Sequence, residues 1–102
     1  MFLVQILLPL YDSEQKRYPR APFDLVASEL LERFGGMTAY ANAPAHGLWQ
    51  DDGGRTEGDD IVVHEVMTES LEKSWWASYR KVLESRFAQD QIVVRAFEMQ
   101  LL

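Results

Sequence analysis

Gln5, Glu65 and Arg95 each interrupt a mostly apolar run: Phe2-Leu3-Val4-Gln5-Ile6-Leu7-Leu8, Ile61-Val62-Val63-His64-Glu65-Val66-Met67 and Ile92-Val93-Val94-Arg95-Ala96-Phe97. Three polar groups so placed can form an island on one side of a sheet. A carboxylate in a dry cleft works as a general base, because poor solvation disfavours its charge and raises its proton affinity. An arginine beside it can hold an anionic substrate or intermediate with its rigid fork of donors. With Tyr40 or His64 nearby, the island could line a small-molecule pocket. The catalytic candidates are therefore Glu65, His64, Arg95 and Tyr40. In the competing reading, Glu65 and Arg95 pair only to set the register of an interface.

Other chemistries lack the residues they need. The chain has no cysteine, which removes disulfides, thiol nucleophiles, Cys-zinc sites and iron–sulfur clusters. His46 and His64 are its only histidines and match no metal-ligand spacing, so no metal and no cofactor is expected. The acidic stretch 51–60 lacks the alternating oxygen ligands of a calcium loop and reads as a hairpin turn, with Gly53, Gly54 and Gly58 as turn residues. No Gly-x-Ser-x-Gly elbow is present. Gly35-Gly36 follows a helical pattern rather than opening one, so it cradles no phosphate. Lys16, Arg17 and Arg20 read as a solvated loop, and Trp75, Trp76 and Tyr79 stand at the spacing of a helix core.

Charge narrows the partners. Ten Lys and Arg against sixteen Asp and Glu give a net charge of −6, with no basic stripe. Nucleic acid and anionic membrane surfaces are therefore not expected partners. The apolar start has no positive flank or small-residue cleavage site, and it is too short to span a bilayer. A cytoplasmic location is expected. The 102 residues, 47% hydrophobic and 25% charged, suit one globular domain over 1–102.

The periodicities supply the elements that must position these groups. Residues 2–8 read as a buried strand ending at Pro9, and 11–20 as a loop. A helix fits 22–34: Phe23, Val26, Ala27, Leu30, Leu31 and Phe34 share one face, and Gly35 stops it. Pro22 suits the first turn, and Asp24 complements the helix dipole there. A strand from 37 is interrupted or pushed to a sheet edge by Pro44 and resumes at 48–50, pairing with a strand over 61–67. A second helix fits 69–86 with Thr68 or Ser70 as cap. Leu71, Trp75, Trp76, Tyr79, Val82, Leu83 and Phe87 line its apolar face, and a last strand covers 91–101.

The order β-α-β-β-α-β has one common compact solution, an α+β ferredoxin-like plait. It has an antiparallel sheet of order 4-1-3-2 with both helices on one face. Burying Glu65 under the helices would strand a carboxylate, so Val62, His64 and Val66 point inward and Glu65 outward. The same alternation puts Gln5 outward, and, with Ile92, Val94 and Ala96 pointing inward, Arg95 too. The open face then also carries Leu3, Leu7, Ile61, Val63 and Met67, with Val93, Phe97 and Met99. That is more apolar surface than a monomer usually exposes, so a homodimer through the open face is expected.

With Arg33-Phe34-Gly35-Gly36-Met37-Thr38, then Gly47-Leu48-Trp49 and Glu65, the chain resembles small dimeric ferredoxin-like α+β barrel proteins. More closely it is similar to an uncharacterised bacterial domain family with a Phe-Gly-Gly-hydrophobic-Thr segment, a Gly-x-Trp and an acidic residue leading the third strand. The likeness covers roughly residues 30–68 and implies a fold and a dimer but no reaction. Two functions stay open. One is a non-catalytic homodimeric binding or structural module. The other is a cofactor-free enzyme, monooxygenase- or isomerase-like, acting on a small hydrophobic or aromatic molecule beside the open face.

Overall fold

The computed structural model describes the backbone of residues 1–50 and 56–102, and side chains outside 41–47 and 49–59. The elements run β1 (Phe2–Pro9), α1 (Arg20–Phe34), β2 (Thr38–Gln50), β3 (Thr56–Thr68), α2 (Lys73–Arg86) and β4 (Val93–Glu98). They form one four-stranded antiparallel sheet, in the order β2-β3-β1-β4. This is the α+β ferredoxin-like plait that the element order predicts.

Alternation along the strands decides what the helices cover. Val4, Ile6 and Leu8 of β1 and Val62 and Val66 of β3 are buried, as is His64 between the last two. Val4, Ile6, Leu8 and Val66 form one cluster with Val26 and Leu30 of α1, Trp76, Tyr79 and Leu83 of α2, and Phe87 and Ile92 beyond it. Burying a Leu, Ile or Phe side chain contributes about 1.5–3 kcal/mol, so this layer supplies most of the driving force for folding. Tyr18 anchors the β1–α1 loop by donating its hydroxyl to the Phe87 carbonyl at 2.5 Å, with its ring edge-on to Phe87. Within that loop Asp12 Oδ1 accepts the N–H groups of Glu14 and Lys16, each at 2.9 Å.

Several boundaries differ from the expectations. Helix α1 begins at Arg20, which places Pro22 third and Asp24 beyond the first turn, leaving no acid there. Gly35 ends it as expected, with φ 78° and its N–H on the Leu31 carbonyl. Helix α2 begins at Lys73, four residues late, after Glu72 and with no side-chain cap. Thr68 instead donates its hydroxyl to the Ser70 carbonyl, a local bond that competes with helix. Leu31 and Val82 are exposed, because each helix turns a narrower stripe to the sheet than its apolar residues would allow. Strand β3 starts at Thr56, so part of the expected turn is strand, while Asp51–Arg55 lie outside the described residues. Strand β2 continues through Pro44 with a register shift between Tyr40 and Ala45, which an edge strand tolerates. Strand β4 is shorter than 91–101.

Candidate functional site

The register brings the polar island together. Gln5 lies opposite Glu65 on one side and Arg95 on the other, so the three share one face in one row. Gln5 Nε2 donates to Glu65 Oε1 at 2.6 Å, and Arg95 Nε donates to Gln5 Oε1 at 2.8 Å. Glu65 and Arg95 therefore do not touch; the Gln5 amide relays between them. Strand spacing of about 4.8 Å keeps the two charged strands about 10 Å apart.

Tyr40 joins from the far side of Glu65. It pairs with Val63 on the open face and donates its hydroxyl to Glu65 Oε2 at 3.2 Å. That bond, and then the carboxylate's charge, push the Tyr40 phenol above its ordinary value, so it stays a donor at neutral pH. Each oxygen of Glu65 is thus oriented by a neutral donor. Among the described residues no cation pairs with it.

Beside Glu65 is a recess of about 440 Å³, bordered by Leu3, Met67, Phe34, Met37, Thr38 and the Gly35-Gly36 pair. It lies where the C-terminal end of α1 meets β3 and β1. The carbonyls that end a helix carry partial negative charge, which adds to that of Glu65. Among the described residues no lysine or arginine borders the recess. It favours a cationic group on an apolar body.

His64 does not belong to this site. The alternation that brings Glu65 out turns His64 under the helices, 2% exposed. Burial holds its imidazole below its ordinary pKa, opposed by the Phe23 backbone, and Nδ1 finds no partner. It is a neutral core side chain. His46 lies outside the described side chains. Arg95 is exposed beside Phe97, with its guanidinium carbon 5.8 Å from the ring centroid. The sequence anticipates a small-molecule pocket beside the island, but not that Phe34, Gly35-Gly36 and Met37 at the end of α1 border it.

No family model matches the chain, so the Phe34-Gly35-Gly36-Met37-Thr38 pattern is tied to no family, and no curated protein matches it. Solved structures do. The chain is similar to a phage SAM lyase in complex with S-methyl-5'-thioadenosine, at 17% identity and a TM-score of 0.65, over 95% of this chain and 80% of that one. It is also similar to a phage SAM lyase in the apo state, at 15% identity and a TM-score of 0.59, over 95% and 79% of the two chains. At that identity the likeness is one of fold: this small α+β architecture is shared with phage SAM lyases.

Proposed function

We propose that the protein binds a small cationic molecule with an apolar body in the recess beside Glu65, and that Glu65 is the group that acts on it. The observation that carries this reading is the unpaired carboxylate. Both its oxygens are oriented, and neither is neutralised by a cation among the described residues. In the catalytic form Glu65 is the base, and Arg95, whose Nε alone is engaged, holds an anionic group of the same ligand. S-adenosylmethionine has both features, a sulfonium beside apolar groups and a carboxylate. The shared fold with phage SAM lyases makes it the first ligand to test.

The test is calorimetric titration with S-adenosylmethionine and S-methyl-5'-thioadenosine, with chromatography for any conversion of the first into the second. Glu65→Gln keeps the shape and removes the charge. The expected result is binding to the wild type that weakens at least tenfold in the variant. Absence of both binding and turnover at millimolar ligand overturns the reading.

A second reading concerns what covers the open face. Met67, Val93 and Phe97 are about half exposed there. Burying several hundred Å² per subunit at about 25 cal/mol per Å² yields on the order of 10 kcal/mol. That offsets an association cost of about 4–15 kcal/mol, which supports a homodimer whose register the Gln5 relay helps to set. Light scattering should give twice the 11.8 kDa chain mass. Val63→Glu should give monomer or insoluble protein, and a wild type of single-chain mass at micromolar concentration overturns the dimer.

A further inference from the structure

On the helix side of the sheet, away from Glu65, α2 and the edge strand β4 leave a separate recess of about 230 Å³. It is bordered by apolar groups, Val4 of β1, Val94 and Ala96 of β4, and Trp76 of α2. Two cations of α2, Lys73 and Arg80, border it as well. Among the described residues Lys73 has no ion-pair partner. Arg80 Nε meets Glu84 Oε2 only at 3.8 Å, and that oxygen already accepts the Ile92 N–H at 3.1 Å. Arg80 Nε is shielded from water and has no hydrogen-bond acceptor, while the side chain as a whole is 42% exposed and neither terminal guanidinium nitrogen has a hydrogen-bond partner among the described residues. A shielded donor without an acceptor is rare in folded proteins, since burial removes its water and returns nothing. Arg95 borders the recess as well, but its guanidinium Nε is engaged by Gln5 on the other face of the sheet.

We propose that this recess binds a small organic anion with an apolar body, its charge received by Arg80 and Lys73 and its body laid on Val4, Val94 and Trp76. The volume holds about eight water-sized groups, at about 30 Å³ each, which fits a short-chain or small aryl acid rather than a nucleotide. The net charge of −6 repels anions at long range, so selectivity here comes from the two cations at the recess. A carboxylate and a phosphate monoester both present anionic oxygens on such a body, the first with one negative charge and the second with nearly two at neutral pH. The site shares no side-chain function with the Glu65 recess and does not depend on it.

The experiment is a ¹⁵N-resolved NMR titration of the full chain with hexanoate and with hexyl phosphate, which separates the two anion types. Inorganic phosphate, hexanol and hexylammonium are the controls. One or both organic anions should shift the amides of Ala77, Arg80, Val94 and Ala96, together with the Arg80 Nε–H signal. Each control should bind at least tenfold more weakly. Arg80→Gln should weaken binding at least tenfold. Lys81→Gln, which removes the same charge from an exposed neighbouring position on α2, should change it less than twofold. Ala96→Leu fills the recess, keeps both cations and should abolish binding. Equal binding of hexanol or inorganic phosphate, equal weakening by Lys81→Gln, or undiminished binding to Ala96→Leu would each overturn the proposal.

Discussion

The two faces of the sheet are built from the same strands and do opposite work. On the covered face Val4, Ile6 and Leu8 of β1 and Val62 and Val66 of β3 are aliphatic and buried, and His64 is buried among them. On the open face the intervening residues are also mostly aliphatic, yet a row of hydrogen-bonded polar side chains crosses it from Tyr40 to Arg95. One face holds the chain together, and the other keeps a charge in reserve. The difference shows that hydrophobicity alone does not mark a core. What marks it is an apolar layer arriving on the other side.

The sharpest test of that contrast is to remove the same ring from each face. Phe87 has no exposed surface, and Phe87→Ala should cost about 3–5 kcal/mol in a denaturant titration. Phe97, 48% exposed, should cost well under that as Phe97→Ala in dilute protein. Equal losses would break the comparison by showing that the open face is also sealed in the protein under test.

Among the described residues His64 is the titratable group buried on the covered face of the sheet, and its pKa is lowered by burial. A group with a lowered pKa contributes stability that is complete above its unfolded value of 6.5 and is lost as pH falls through its folded value. Chemical denaturation at steps below pH 6.5 should therefore show falling stability. His64→Leu should flatten that dependence. An unchanged slope in the variant would assign the acid sensitivity elsewhere, the Glu29–Arg86 pair between the helices being next, since Arg86 holds the Glu29 carboxyl below its usual range.

On the open face, Gln5→Leu removes the relay but leaves Glu65 and Arg95 near water. Its cost should be about 1 kcal/mol or less. A larger loss that grows on dilution would place the row inside an interface.

Smallest is the Tyr40–Glu65 bond. A raised phenol pKa means stability present below pH 10 and lost as pH rises through the folded value. Ultraviolet titration of tyrosinate should show two phenols that ionise at higher pH than the rest, Tyr79 held up by burial and Tyr40 by Glu65, and only the Tyr40 step should return toward the ordinary value in Glu65→Gln. No difference between the two proteins would detach Tyr40 from the site.

Much of this was legible in the chain itself. Alternation is a local property, and it placed Val4, Ile6, Val62 and Val66 inward before any packing was known. Chemistry then did the rest for β3, because turning Glu65 inward would have buried a carboxylate without a partner. The plait's strand order set Gln5 between Glu65 and Arg95, as the register bears out. Expecting those two to meet went one step too far, because two strand spacings exceed the reach of a direct pair.

Other features depend on contacts between distant segments, which no periodicity encodes. Tyr79 and Arg86 of α2 both donate to Glu29 of α1, at 2.9 Å and 2.5 Å, a choice made only when two helices are laid side by side. The late start of α2 follows from the path of residues 69–72, where Thr68 bonds to Ser70 instead of capping. Tyr40 reaches Glu65 through the pairing of β2 with β3, which shifts register just beyond it. Both recesses arise where a helix end or an edge strand leaves the sheet incompletely covered. The sequence by itself determined which residues point to which face, since a pleat repeats every two residues. Only the tertiary structure decided which of them meet and where space is left, since those depend on distances between elements far apart in the chain.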